Sequence, residues 1–425
     1  MLQAPTADST LSTWLAYLER LHPTSIELGL ERVARVRDRL DLTLPFPLIT
    51  VGGTNGKGST CAFLEAILRA AGYRVGCYTS PHLIRYNERV RICGRHASDT
   101  ELIAAFARVE AARERTSLTY FEFGTLAAGV LFREVPLDVV VLEVGLGGRL
   151  DAVNLFDPDC AVVTSVGLDH VEYLGPTREH IGFEKAGIFR NGRPAVVGDP
   201  DPPAALQRHA REAGSQLYLI DRDFGARAEE GQWTYWSAHG RRAALPWPAL
   251  RGDHQLTNAA VALCALECTR ARLPIDAGAI RRGLVEVELL GRFQVLPGSP
   301  VTVLDVAHNP HAAERLRETL ARMGRYATTY AVFAMLRDKD IAGVARAVAP
   351  LIDRWVIAGL PGARGAGEEW LRRQLHAADV TAPVDAAPSV AQAYRYARDR
   401  AAPDDRIVVF GSFLTVGEVL AHTAK

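Results

Sequence analysis

Residues Gly52-Gly53-Thr54-Asn55-Gly56-Lys57-Gly58-Ser59-Thr60 gather four glycines, a lysine and three hydroxyls into nine positions. Pro47–Val51 before them reads as a strand, and Ser59 to Ala71 after them as a helix that Gly72 stops. A glycine loop feeding a helix N-terminus offers successive backbone N–H groups to an anion, and glycines let the backbone approach closely. Such a loop suits the phosphates of a nucleotide. Lys57 would reach the β- and γ-phosphates, and Ser59 or Thr60 would offer a hydroxyl to Mg2+. The spacing departs from the usual G-x-x-x-x-G-K-[ST]. Three residues separate Gly52 from Gly56, and Gly58 stands between Lys57 and Ser59.

Further candidates sit where apolar runs end. Glu143 closes the run Asp138–Val144 and precedes Gly145-Leu146-Gly147-Gly148-Arg149-Leu150-Asp151. Ligands of an open α/β sheet bind outside the carboxyl ends of its strands, so a carboxylate there is a natural Mg2+ ligand. His170 follows the run Cys160–Val166. Mg2+ prefers oxygen, so on chemistry alone His170 reads equally as a hydrogen-bonding or core residue. Ser80, before Pro81, reads equally as a turn serine. Lys185, in Phe183-Glu184-Lys185-Ala186-Gly187-Ile188, is either a surface charge or a buried amine of lowered pKa. A buried amine could react with CO2 and become an anionic carbamate. Asp305 and His308, in Asp305-Val306-Ala307-His308-Asn309-Pro310, also sit at a strand end, where an aspartate serves as readily for a helix cap.

The elements that must hold these residues are those of a parallel α/β protein. Residues 11–40 carry apolar positions at helical spacing, broken at His22-Pro23 into two helices. Strand, loop and helix lead to a second strand at 73–78. Val/Leu runs at 138–144, 160–166 and 194–198 suit strands covered on both faces. Residues 217–245 suggest a small antiparallel excursion, with aromatic strands at 217–220 and 233–236, followed by a helix from Gln255 to about Arg272. Strand–helix alternation restarts with 301–306, 330–335, 354–358 and 406–411. The chain is predicted to be α/β, with a P-loop-type domain of mostly parallel sheet over 1–294 and a smaller Rossmann-like domain over 295–425. A length of 425 residues fits two domains.

Basic and acidic residues balance at 49 each, which gives no argument for nucleic acid or a membrane surface. Six cysteines include no CxxC pair, so reduced and mostly buried thiols are expected. No run reaches the ~20 apolar residues of a membrane span, and the N-terminus lacks a signal-peptide pattern. The expectation is a cytoplasmic protein.

Taken in order, GGTNGKGST (52–60), TSPHL (79–83), LTYFEF (118–123), EVGLGGRLDAVN (143–154), GLDH (167–170), EKAGI (184–188), GRF (291–293), DVAHNP (305–310) and MLRDKDIAG (335–343) resemble the folylpolyglutamate synthase and dihydrofolate synthase family, a branch of the Mur ligases. The resemblance runs over nearly the whole chain. It implies ATP contacts from Thr54, Asn55, Gly56, Lys57, Gly58, Ser59, Thr60, Asn258, Arg292 and Asp305. It implies Mg2+ ligation at two sites by Ser80, Glu143, His170 and a carbamylated Lys185. His308 is similar to a residue near the γ-phosphate and glutamate, and joins Lys57 and Lys185 as a catalytic candidate. LTYFEF and Asp151-Ala152 look like the bacterial bifunctional form, in which Thr119, Phe121, Asp151 and Ala152 line a pterin site. The implied reaction joins L-glutamate to dihydropteroate and to reduced folates, at the expense of ATP, in a monomer. Members acting only on folates form the alternative. A Mur-type enzyme extending a UDP-linked peptide would need a further N-terminal domain. A P-loop switch would carry the standard Lys-Ser/Thr step, and a mere binder would not require the whole lysine and metal set.

Overall fold

The computed structural model describes residues 3–423. The chain forms two compact units. One holds residues up to His82, Tyr86–Ala249 and Leu256–Val287; the other holds Leu83–Arg85, Leu250–Gln255 and the chain from Glu288 onward.

The first unit is built on an eight-stranded sheet. Its strands are β1 (Leu48–Gly52), β2 (Val75–Tyr78), β3 (Val90–Ile92), β4 (Arg95–His96), β5 (Val139–Glu143), β6 (Cys160–Val163), β7 (Pro194–Val197) and β8 (Gln216–Leu219), in the order β4-β3-β2-β5-β1-β6-β7-β8. The six strands from β2 to β8 run parallel, while β3 and β4 pair antiparallel at one edge. β1, β5 and β6 are buried at every position, as expected of Val-rich strands with both faces covered. The central position of β1 sets the glycine loop at the carboxyl end of the sheet, next to the ends of β5 and β6.

The first two helices, Leu11–Leu21 and Glu31–Arg39, end and begin around His22-Pro23 as the sequence suggests. The antiparallel excursion exists as β9 (Phe224–Glu229), β10 (Gln232–Ser237) and β11 (Gly240–Pro246), with Trp233 and Tyr235 fully buried. Residues 217–220 do not belong to that small sheet, because β8 pairs parallel to β7 and completes the main one. The long helix that follows is His254–Cys268, shorter than expected at its C-terminal end.

The second unit carries β12 (Gln294–Leu296), β13 (Val301–Asp305), β14 (Thr329–Phe333), β15 (Arg354–Ala358), β16 (Val384–Ala387) and β17 (Arg406–Phe410), ordered β12-β13-β17-β14-β15-β16. All pairings are parallel except β12 with β13. Two apolar clusters cover its faces, one around Phe333, Trp355 and Phe410 and one around Val332, Val356 and Val409.

Candidate active site

The glycine loop owes its shape to the segment that leaves β6. Thr54 N–H donates to Ser165 O at 2.8 Å, and Asn55 N–H donates to Ser165 Oγ at 3.0 Å. The Thr164 hydroxyl donates to Asn55 O at 2.7 Å and to Gly52 O at 3.2 Å, and Ser165 Oγ donates to Asn55 O at 3.1 Å. Thr54 Oγ1 accepts the Gly167 N–H at 3.0 Å. Thr164 and Ser165 were not singled out from the sequence. The available signal was two hydroxyl residues directly after an apolar strand.

Gly56 turns the chain into helix Lys57–Ala70 at φ +89°, a left-handed conformation that glycine adopts without a Cβ clash. A Cβ there would stand 2.5 Å from Asn258 Oδ1, which places Asn258 against the loop. Lys57 opens the helix, and its ammonium donates to Gly53 O at 3.0 Å and Thr54 O at 3.1 Å. Ser59 and Thr60 lie in the first turn and are buried. Thr60 Oγ1 is buried with no hydrogen-bond partner among the described residues, an unmet polar atom at the helix N-terminus.

Glu143 ends β5 almost fully buried, and its Oε2 accepts the Ser80 N–H at 3.1 Å. The two sequence candidates from β2 and β5 therefore stand side by side. Lys185 is not a surface charge: it is 3% exposed, near the end of helix Arg178–Ala186. Burial and then the neighbouring Lys57 lower its amine, Asp169 and Asp151 oppose them, and the balance lies at about 7. Lys57, Asp151, Asp169 and Lys185 thus share one electrostatic neighbourhood. His170 follows Asp169 in the left-handed conformation, φ +51°, at the start of the short helix Val171–Leu174. Its backbone N–H donates to Asp169 Oδ1 at 2.9 Å.

The glycine run after β5 is stapled to the Lys185 helix. A Cβ on Gly148 would meet Glu184 O at 2.7 Å and Lys185 O at 2.8 Å, so only glycine fits there. Arg149 N–H donates to Glu184 O at 2.8 Å, and Asn154 Nδ2 donates to Arg149 O and Gly187 O at 3.0 Å each. Asp151 accepts the Leu146 N–H at 2.8 Å and the Val153 N–H at 3.0 Å, and burial pushes its carboxyl up to about 7. Ala152 is buried beside it. Phe121 lies over Gly145, where a Cβ would meet its ring at 2.5 Å, and 5.9 Å from the Tyr78 ring centroid. Thr119 caps helix Tyr120–Glu134 in a capping box: its hydroxyl accepts the Glu122 N–H, and Glu122 accepts the Thr119 N–H.

In the second unit, Asp305 ends β13 and accepts the Phe293 and Ala307 N–H groups at 2.8 Å each. Burial pushes its carboxyl up, and neighbouring Arg292 and then His308 pull it back. The helix cap at this strand end is Asn309 rather than Asp305, since Asn309 Oδ1 accepts the Ala312 N–H. His308 Nδ1 donates to Val306 O at 2.9 Å. Phe413, unremarked in the sequence, joins the group: Arg292 lies 5.0 Å over its ring and the His308 ring is 6.1 Å away.

Among the described residues, no group of three or more His, Cys, Asp or Glu side chains is arranged to hold a metal ion. The candidate set draws on a serine and a lysine as well, and so falls outside that pattern. Its chemistry fits a hard cation through the adjoining Ser80 and Glu143 and the unmet Thr60 hydroxyl.

A phosphate-type loop on a parallel sheet, followed by a second α/β unit with an Arg–Asp–His group, describes a class of ATP-using ligases. The chain belongs to the Mur ligase family: residues 51–266 match the Mur ligase middle domain, and residues 291–413 match the Mur ligase glutamate ligase domain. Within it, the chain is 47% identical to the dihydrofolate synthase/folylpolyglutamate synthase of Escherichia coli K12 over 419 residues, 98% of this chain and 96% of that one. Its structure is similar to E. coli FolC in complex with DHPP and ADP, with a TM-score of 0.94, 46% identity and 99% of each chain covered. It is also similar to a bifunctional folylpolyglutamate synthase/dihydrofolate synthase with Mn, AMPPNP and L-glutamate bound, with a TM-score of 0.92, 48% identity and 100% of each chain covered.

Proposed function

We propose that this chain is an ATP-dependent carboxylate–amine ligase that adds L-glutamate to dihydropteroate, forming dihydrofolate, and to reduced folates, forming polyglutamates. The observation that carries the reading is full-length similarity to bifunctional relatives, with buried Glu143 beside the start of the loop and buried Lys185 within electrostatic reach of Lys57. ATP and a divalent cation are its cofactors.

A carboxylate is a poor acceptor because it carries charge and a bad leaving group. Transfer of the γ-phosphoryl to it gives an acyl phosphate, which the glutamate amine attacks, releasing phosphate. Such transfer needs positioning and neutralised charge more than covalent help. The loop's N–H groups and residues Thr54 to Thr60 hold the phosphates, Asn258 stands against the loop, and Lys57 turns its ammonium from the loop carbonyls to the β- and γ-phosphates. Arg292 and Asp305 contribute to the nucleotide, and His308 to the γ-phosphate and glutamate end. Ser80, Glu143, His170 and a carbamate on Lys185 hold Mg2+, which supplies positive charge toward the phosphates. Phe121, Asp151 and Ala152 form the pterin wall with Thr119. The Thr119 oxygen already accepts the Glu122 N–H, which leaves its O–H donor and one further acceptor lone pair for a ligand.

By this reading residues 1–294 are the ATP and pterin domain, residues 295–425 the C-terminal ligase domain, and the protein works as a cytoplasmic monomer. Among the described residues, no helix is long and apolar enough to cross a membrane. The test is ADP release with dihydropteroate, tetrahydrofolate or a UDP-peptide, each with and without glutamate. Release with dihydropteroate and with tetrahydrofolate, both strictly dependent on glutamate, is expected. Silence with dihydropteroate would leave a folate-only enzyme, and substrate-independent hydrolysis would remove the ligase reading.

A further inference from the structure

Three of the six cysteines meet at the end of the first unit's sheet away from the glycine loop. Cys160 is the first residue of β6 and is fully buried. Registers Val162↔Val196 and Val196↔Tyr218 put Val162 and Tyr218 in one row, and Cys160 lies two residues before Val162 on the same strand. Side chains in such a row share a face, and alternate residues of a strand do too, so Cys160 and Tyr218 point to one side of the sheet. Ala161, Val163, Ala195, Val197 and Leu219 form core on the opposite side. Helix His254–Cys268 packs over the Cys160 side: a Cβ on Gly198, just past β7, would meet Val261 Cγ2 at 2.5 Å. Cys264 and Cys268 stand one turn apart on that helix. Cys160, Cys264 and the Tyr218 hydroxyl are the polar neighbours of Cys268. It is also the partly exposed member, whereas Cys160 and Cys264 are buried.

We infer that this cluster is an oxidisable dithiol, in which Cys268 attacks a peroxide and Cys160 completes a disulfide with it. The inference is independent of the ligase reading. The neighbouring Cys160 thiol, and then Cys264, hold the Cys268 thiol below its ordinary range, which favours the nucleophilic thiolate. In the first step the Cys268 sulfur attacks one peroxide oxygen; an S–O bond forms, the O–O bond breaks, and the leaving hydroxide takes the thiol proton as water. In the second, the Cys160 sulfur attacks the Cys268 sulfenic acid; an S–S bond forms, the S–O bond breaks, and the hydroxyl leaves with the Cys160 proton as a second water. Two thiols are oxidised and one peroxide is reduced to two waters. Cys160 is the better partner than Cys264. It lies on a separate element facing Cys268, whereas Cys264 shares Cys268's helix and would strain it.

The test treats the full chain with one equivalent of hydrogen peroxide, blocks remaining thiols, and maps linked peptides without reduction. The expected product joins Cys160 to Cys268, is reversed by dithiothreitol, and persists in Cys264→Ser. In Cys160→Ser a sulfenic-acid probe labels Cys268 instead, and in Cys268→Ser neither linkage nor label appears at the cluster. Reaction confined to the exposed Cys93, or a Cys264–Cys268 link in the unaltered chain, overturns the inference. Should Cys160→Ser fail to fold, the half-buried Cys268→Ser and the Cys264→Ser variants still decide it, because both outcomes are read on the unaltered Cys160.

Discussion

Alanine at Gly56 and alanine at Gly72 impose nearly the same backbone strain and very different contacts. Both glycines are left-handed, at φ +89° and φ +91°. A Cβ at Gly72 meets nothing within 4 Å, while one at Gly56 stands 2.5 Å from Asn258 Oδ1. The shared backbone cost is roughly 1–2 kcal/mol in each variant. Gly56→Ala carries a further overpacking cost of about 1–3 kcal/mol, because Asn258 is itself buried and must move. Urea titration is therefore expected to show Gly72→Ala destabilised by about 1–2 kcal/mol and Gly56→Ala by about 2–5 kcal/mol. Calorimetric titration with ADP separates the two functionally: Gly56→Ala loses roughly tenfold or more in affinity, and Gly72→Ala keeps it. Adding Asn258→Ala to Gly56→Ala removes the collision, so the pair is less destabilised than the sum of its single changes. Equal stability losses and equal ADP affinities in Gly56→Ala and Gly72→Ala would refute the placement of Asn258 against the loop.

Lys185→Ala is expected to lose ligation roughly a hundredfold or more, with partial recovery in formate or acetate, as read by ADP release; full activity without additive sinks the carbamate. Arg292→Ala and Asp305→Ala are each expected to raise the KM for ATP roughly tenfold, the scale of one charge-assisted hydrogen bond; an unchanged KM in both removes them from the nucleotide. His254 is held neutral down to about 4 by burial and by Arg315, against the opposing charges of Glu318 and Asp253, with His311 adding to the depression. The unfolded chain takes up that proton near ~6.5, so stability rises with pH between about 4 and 6.5. Melting temperatures of His254→Gln across that window are expected to show a flatter slope than the unaltered chain.

The parallel sheets were legible because buried strands announce themselves as Val-rich runs, and β5, β6 and β7 fell within the runs read at 138–144, 160–166 and 194–198. Strands made by pairing rather than by composition were not. β16 is Val384-Asp385-Ala386-Ala387, half-buried throughout, and β4 is two exposed residues. β8 falls in a short aromatic run at 217–220 that, with the run at 233–236 and the polar turns beside them, suggested a small antiparallel sheet; its place beside β7 is decided by tertiary pairing. The glycine loop could be read as an anion site from its own spacing, whereas the burial of Lys185 could not. A lysine in a short helix carries no local mark of depth, and its depth here comes from the glycine run that packs on its backbone through Gly148 and Asn154. Likewise Asp305 and His308 stood out as strand-end residues, but Phe413 lies more than a hundred residues downstream and joins them only in three dimensions.

The brace from Thr164, Ser165 and Gly167 to the glycine loop bears on the entropy of nucleotide binding. Fixing the backbone of a residue costs roughly 1–2 kcal/mol, so ordering the four residues Gly53 to Gly56 amounts to about 4–8 kcal/mol. The contacts made by the tail of β6 place that cost in the folding of the first unit, not in each encounter with ATP. A ligand meeting a loop already fixed in shape keeps more of its contact energy as affinity. Shortening the Thr164 or Ser165 side chain would then register in the temperature dependence of binding, as a more negative binding entropy, before any phosphate contact was lost.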